Sequence, residues 1–261
     1  MTKLPSTLRA LAAMARDAGA EILRIRERGY DVRGKADASP VTEADEAAEA
    51  IILHGLEELF PGIPVIAEEE AAAGRLPAIE RRFLLVDPLD GTKSFIAGRE
   101  DFTVNIALIE DGAPVIGVVF APARRWLLAA SRDDGAWQAS GEAPPTPISP
   151  APPGGRMRAV ASLNHRDEKT DAWLAEHGIT DILAAGSSLK LCLLATGEAD
   201  VYPRFGPTME WDIAAGHAVL AAAGGQVLEA GSTRPLRYGK AEEGFLNPPF
   251  IAWAPGREPF A

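Results

Sequence analysis

A single cysteine, Cys192, occurs in 261 residues, so no disulfide can close within the chain and a reducing, cytoplasmic setting is expected. Histidine is almost as scarce, with four copies and neither a His-Glu-x-x-His nor a Cys-x-x-Cys pattern, which argues against zinc chemistry. No run approaches the roughly 20 apolar residues of a membrane span, and Met1 to Arg28 has no uninterrupted apolar core of a secretory signal. Positive charge is in deficit. The 26 Lys and Arg against 37 Asp and Glu leave a net charge of −11, so the molecule as a whole repels nucleic-acid polymers and anionic membranes. An anionic substrate would need cations or a few well-placed basic side chains. What is present is ordinary for a soluble globular protein, 47% hydrophobic and 24% charged, and long enough for one large domain or two halves sharing a core.

Leu8, Leu11, Ala15, Ala18, Ile22 and Ile25 recur at helical spacing and predict an amphipathic helix over residues 5–28. A second helix is expected from about Thr42 to Leu59, ended by Pro61-Gly62, with a short strand over 64–67 leading into Glu68-Glu69-Glu70. Residues 102–109 and 115–120 read as strands joined at Glu110-Asp111-Gly112, and 126–130 with 136–139 as a further hairpin around Asp133-Asp134-Gly135. Six prolines between Gly141 and Gly155 mark a surface connection, dividing an N-terminal α+β half (1–145) from a C-terminal α/β half (156–261). The second half alternates, with strands near 159–161, 182–184, 200–202 and 226–228 and helices near 169–177, 189–196 and 211–223. No internal repeat is visible.

The densest chemistry lies between Val86 and Phe95, which read Val-Asp-Pro-Leu-Asp-Gly-Thr-Lys-Ser-Phe. Phe83 to Val86 form a short apolar run, read as a buried strand, after which Pro88 and Gly91 break the chain and Thr92 can begin a helix. Two carboxylates, Asp87 and Asp90, at the end of a buried strand repel each other unless a cation lies between them. Carboxylate oxygens suit a hard ion such as Mg²⁺, and a helix start suits a phosphate. Glu68, ending the preceding strand, is placed to join them in a layered fold.

Plainer readings exist for each residue. A Glu-Glu-Glu run is usually a solvated turn, Asp90-Gly91 a turn and Asp87 a cap. Thr42 and Asp45 have the spacing of a capping box. Asp212, after Trp211 at the start of an alanine-rich helix, is favoured there by the helix dipole alone. Gly186-Ser187-Ser188 with Lys190 could hold an anion at a helix start, or simply cap it. His217 and Cys192 sit in apolar helices and read as core, His54 as a solvated or partly buried helix residue, and His165 as a loop residue able to meet a substrate.

Glu68, Asp87-Pro88-Leu89-Asp90-Gly91-Thr92 and Trp211-Asp212-Ile213-Ala214-Ala215, in that order over nearly the whole chain, resemble the inositol monophosphatase superfamily of Mg²⁺-dependent, lithium-sensitive phosphatases. Gly91 to Phe95, Phe102 to Ile109, Gly186 to Lys190 and Tyr202 to Thr208 look like its bacterial 3'(2'),5'-bisphosphate nucleotidase branch. Ser162-Leu163-Asn164-His165 departs from the Ser-Arg-Ser-His of that branch. The resemblance implies a layered αβαβα sandwich and a phosphoric monoester hydrolase with two or three Mg²⁺ ions per site. The reaction implied is attack of a metal-activated water on the 3'-phosphate of adenosine 3',5'-bisphosphate, a by-product of sulfate assimilation, giving AMP and phosphate. Glu68, Asp87, the Leu89 carbonyl, Asp90 and Asp212 would be metal ligands. Thr92, backed by Asp45 or Glu68, would orient the water. Gly91, Thr92, Ser187, Ser188, Lys190, Arg204 and Asp212 would contact the small-molecule nucleotide bisphosphate. Inositol monophosphate or fructose 1,6-bisphosphate on the same site is the near alternative, and a non-catalytic nucleotide or phosphate sensor the distant one.

Overall fold

The computed structural model describes residues 4–34, 40–150, 154–162 and 166–260. Two long helices open the chain, α1 (Ser6–Arg28) and α2 (Glu43–Leu59), separated by the short antiparallel pair β1 (Val32–Gly34) and β2 (Pro40–Thr42). Then come β3 (Val65–Ala67), α3 (Glu68–Ala72), β4 (Arg82–Asp90) and α4 (Thr92–Ile96). The strands β5 (Thr103–Glu110), β6 (Ala113–Ala121), β7 (Trp126–Ser131), β8 (Gly135–Ser140) and β9 (Thr146–Pro147) follow as an antiparallel meander. These strands form one seven-stranded sheet in the order β3-β4-β5-β6-β7-β8-β9, parallel only at β3–β4.

The remainder is β10 (Arg158–Ser162), α5 (Glu168–Glu176), β11 (Asp181–Ala185), α6 (Leu189–Thr196), β12 (Val201–Arg204), α7 (Glu210–Ala222), β13 (Gln226–Glu229) and β14 (Phe250–Trp253). Its five strands make a second sheet in the order β11-β10-β12-β14-β13.

Side-chain alternation accounts for the stacking. Along β4, Leu84 and Val86 pack with α1 and α2, whereas Phe83 and Leu85 join Leu191, Leu194, Ala215 and Val219 of α6 and α7. Both faces of the first sheet are therefore covered, which is why β4 reads as a continuous apolar run. The second sheet packs Tyr202, Phe250 and Ala252 toward α6 and α7, and turns Val201, Ile251 and Trp253 outward to Leu174 of α5. The order helix, sheet, helix, sheet, helix is the expected αβαβα sandwich. The close helix–sheet contact depends on Gly117 of β6, where a Cβ would lie 2.3 Å from the Ala215 carbonyl oxygen.

Three parts of the sequence reading need correction. The proline-rich connection contains β9, paired with β8 through Trp137 and Gln138. The strand expected over 200–202 runs to Arg204, so that arginine is part of the buried sheet. β14, flanked by prolines in sequence, was not anticipated at all, yet it joins β12 to β13. Residues 163–165, which hold His165 and the departure from Ser-Arg-Ser-His, lie outside the described residues. Of the remaining motif-free polar groups, Cys192 and His217 are buried and the His54 side chain is 79% exposed.

Candidate active site

Three elements deliver four carboxylates to one cleft. Alternation on β4 turns Asp87 to the same face as Phe83 and Leu85, toward α7, and a register break between Asp87 and Asp90 lets the chain turn at Pro88-Leu89. Gly91 then adopts φ 95°, and a Cβ there would also strike the Asp101 carbonyl oxygen at 2.8 Å, so glycine is required on both counts. Glu68 begins α3 directly after β3, which lies beside β4. Asp212 stands in the first turn of α7, where it accepts a hydrogen bond from the Met209 N–H at 2.9 Å.

Glu68, Asp87, Asp90 and Asp212 all line a cleft of about 760 Å³, a size suited to a small-molecule ligand. Burial pushes the Asp87 carboxyl well above the usual range, and the negative charges of Glu68, Asp90 and Asp212 push it the same way. Asp212 is raised for the same reasons, burial first and then Asp90 and Glu68. Such a set, gathered from separate parts of the chain, disfavours its own ionisation. A hard divalent cation relieves that repulsion, and the all-oxygen donor set is the chemistry Mg²⁺ takes. Among the described residues no three acidic, histidine or cysteine side chains already form a closed metal cage. The fit therefore rests on the donor set and its mutual repulsion.

Beside them lies a hydroxyl–carboxylate pair. The Thr92 hydroxyl is 3.1 Å from Asp45 Oδ1 and 3.2 Å from the Leu89 carbonyl oxygen, either of which can accept its proton. The other oxygen of Asp45 accepts from the Thr42 N–H at 2.8 Å and the Thr42 hydroxyl at 2.7 Å, completing the capping box of α2. The helix cap and the Thr92 hydroxyl thus engage different oxygens of one side chain. Burial raises the Asp45 carboxyl, opposed by its Thr42 hydrogen bonds.

Despite the net charge of −11, Lys93, Arg166, Lys190 and Arg204 line the same cleft. Lys190 is buried, its ammonium donating to the Ser187 carbonyl at 2.5 Å and lying 5.3 Å above the Tyr202 ring. Burial lowers it to about 8. Arg204 is also buried and donates to the Pro207 carbonyl at 2.8 Å. Ser187 and Ser188, expected against the substrate, line the cleft as well and are each held by a hydrogen bond within the protein. Ser187 donates to Asp90 Oδ2 at 2.7 Å, and the buried Ser188 donates to the Asp212 carbonyl at 2.6 Å.

Sequence reasoning missed Asp101, Thr103 and Asn105, which surround Asp90 and the 186–188 turn. Thr103 and Asn105 were legible as members of a strand and of the segment that resembles the nucleotidase branch, with no site role attached. Glu49 was missed too. It reaches from α2 to accept the Glu69 and Glu70 N–H groups at 2.8 and 3.1 Å, fixing the start of α3 just after Glu68.

This fold and this carboxylate cleft define a class, the layered sugar-phosphatase type. The model of the inositol monophosphatase family matches residues 4–249, and the chain belongs to that family. It is 44% identical to the 3'(2'),5'-bisphosphate nucleotidase CysQ of Escherichia coli O6:H1 over 91% of this chain and 95% of that one. With CysQ of Salmonella typhimurium it shares 43% identity over 93% and 98% of the two chains. The crystal structure of CysQ from Bacteroides thetaiotaomicron, a bacterial member of the family, superposes with a TM-score of 0.80 at 40% identity, covering 96% and 98%.

Proposed function

We propose that this protein is a metal-dependent phosphoric monoester hydrolase that removes the 3'-phosphate of adenosine 3',5'-bisphosphate, leaving AMP and inorganic phosphate. The observation that carries the reading is the convergence of Glu68, Asp87, Asp90 and Asp212 beside the Thr92–Asp45 pair in one cleft. The nucleotide as substrate is supported by relatives above 40% identity that carry the name of that activity.

Glu68, Asp87, the Leu89 carbonyl, Asp90 and Asp212 would hold Mg²⁺. When bound, such ions lower the charge of the anionic phosphate and acidify a water, the largest electrostatic contributions available to phosphoryl transfer. The chain's own groups do the rest. Thr92 accepts a hydrogen bond from the incoming water at Oγ1, aiming the water's lone pair at phosphorus. As attack proceeds the P–O3' bond breaks, the water proton passes to Thr92 Oγ1 while the hydroxyl proton moves to Asp45 Oδ1, and the departing 3'-oxygen takes a proton from solvent to become the hydroxyl of AMP. Burial makes Asp45 a stronger base than a solvated aspartate, which favours that transfer. The N–H groups of Gly91 and Thr92, at the start of α4, hold the phosphate oxygens. Lys190 and Arg204, which line the same cleft, supply positive charge for the second phosphate.

The position of bond cleavage tests the proposal. Incubation of adenosine 3',5'-bisphosphate with Mg²⁺, followed by chromatography of the products, should give 5'-AMP, and chelation of the metal should stop the reaction. Adenosine 3'-monophosphate as the product, or turnover undiminished by chelator, would overturn it.

A further inference from the structure

On the reading of Glu68, Asp87, Asp90 and Asp212 as metal ligands, we propose that Asp101, backed by Arg124, is a positioning residue. It pins the Gly186–Ser188 turn to the first sheet and so holds Asp90 in its metal-binding orientation. Asp101 follows α4 and is 8% exposed. Its Oδ2 accepts the Gly186 N–H at 3.1 Å, while its other oxygen pairs with the Arg124 guanidinium. The two segments touch so closely that a Cβ on Gly186 would lie 2.7 Å from the Asp101 Cβ.

The next residue shows what this contact does. Ser187 has φ 56°, a left-handed backbone unfavourable for a residue with a side chain. Three interactions keep it there. Its carbonyl accepts from Lys190, its hydroxyl donates to Asp90 Oδ2 at 2.7 Å, and the Thr103 hydroxyl pairs with the Ser187 hydroxyl oxygen. One residue on, Ser188 donates to the Asp212 carbonyl at 2.6 Å. A three-residue turn of the second half therefore bonds one carboxylate of the first half and the helix turn that carries another. Asp101 is its anchor on the first sheet. A hydrogen bond that orients a metal-ligating carboxylate from behind is the kind whose loss weakens metal affinity.

The test measures the metal alone. Mn²⁺ binding, followed by electron paramagnetic resonance without substrate, is compared among wild type, Asp101→Ala, Asp101→Asn, Arg124→Met, Gly186→Ala and Ser187→Ala. Asp101→Ala and Ser187→Ala should each weaken binding by roughly tenfold or more. Asp101→Asn keeps an acceptor for Gly186 and should lose about threefold, as should Arg124→Met. The double variant Asp101→Ala/Ser187→Ala should be no worse than the weaker single one, because both break one chain of contacts. At saturating metal, KM for the nucleotide should stay within about twofold.

Wild-type Mn²⁺ affinity in Asp101→Ala and Ser187→Ala, with KM raised in the latter, would overturn the proposal and return Ser187 to direct substrate contact. Should Asp101→Ala fail to fold, Arg124→Met at its more exposed partner decides, and unchanged affinity there overturns the proposal. Wild-type protein that binds no Mn²⁺ overturns the inference together with the metal reading. Protein that binds Mn²⁺ but releases no phosphate from nucleotides overturns the functional reading, and the variant series still decides the role of Asp101.

Discussion

Asp87 is held at a cost in the metal-free protein. Its carboxyl is raised by burial and by three neighbouring carboxylates, so Asp87→Asn removes a repelled charge. Turnover should fall to below about a tenth of wild type, since the metal-holding set is broken, while the unfolding temperature without metal stays level or rises. Calorimetry beside phosphate release checks both halves of that expectation. Lys190 gives a pH test with a definite sign. Burial lowers it to about 8, so the ammonium loses its charge as pH rises through that value. KM for the bisphosphate should therefore increase between pH 7 and 9, and Lys190→Met should start high and stay flat over that interval. A wild-type KM that does not change over it would remove Lys190 from the second-phosphate site. His217, buried and 2.9 Å from the Tyr238 hydroxyl, is lowered to about 3. It is stabilising as the neutral ring above its unfolded value near 6.5, and that contribution is lost as pH falls through the interval down to about 3. His217→Gln should flatten the acid limb of a stability–pH curve. Residues with a chemical signature in sequence, Asp87, Asp90, Thr92 and Asp212, were readable there. Asp101 was not, because an aspartate after a short helix has no local pattern and its partner Gly186 is distant in the chain.

Among the elements, α7 and β4 matter most, since between them they carry Asp87, Asp90 and Asp212. The continuous apolar run of β4 and the alanine-rich α7 predicted both elements, and the alternation of side chains along the strand fixes which face Asp87 meets. Sequence pattern could not supply the contact that holds α7 on β6, because Gly117 matters through absent volume. Gly117→Val would force methyls into the Ala215 carbonyl and the Ala218 side chain. A destabilisation of about 3 kcal/mol is expected, or roughly 6–12 °C in Tm for a chain of this size. A variant with wild-type Tm would mean that the helix seats less tightly than described. β9 and β14 escaped the sequence reading because each is short and flanked by proline, and pairing with β8 or β12 fixes them rather than propensity. The same holds for the last residue of β12, where extension of the strand to Arg204 carries a cation into the cleft.

At the scale of the molecule, the cleft lies against both sheets. Glu68, Asp87 and Asp90 belong to elements of the first, whereas Lys190, Tyr202 and Arg204 lie on α6 and β12 with the second. Among the described residues no helix is long and apolar enough to cross a membrane. Helix and strand periodicities gave an α+β half followed by an α/β half, while the αβαβα layering and the closure of the two halves round one cleft depended on the resemblance and not on the pattern. Protons and metal compete for this site. Asp87 and Asp212 are raised above their usual range, so in the metal-free protein their contribution to stability is fullest below the unfolded value near 3.8 and is lost as pH rises. On the proposed metal reading, Mg²⁺ would be held by the ionised set and would reverse that trend. The stabilisation on adding Mg²⁺, read as a rise in Tm, should accordingly grow from pH 5 to pH 8, and amounts to about 2.7 kcal/mol when the ion is at 100 times its dissociation constant. A shift independent of pH, or equally large in Asp87→Asn, would place the ion elsewhere.

The central claim is metal-dependent hydrolysis of a nucleotide bisphosphate at the carboxylate cleft. Its most direct test is kcat/KM for phosphate release with Mg²⁺ from adenosine 3',5'-bisphosphate, inositol 1-phosphate and fructose 1,6-bisphosphate, beside Asp87→Asn. Strong preference for the nucleotide, abolished in the variant, is the predicted result. Preference for inositol or sugar phosphate would contradict the substrate while leaving the site, and silence on all three from folded protein would contradict the enzyme itself.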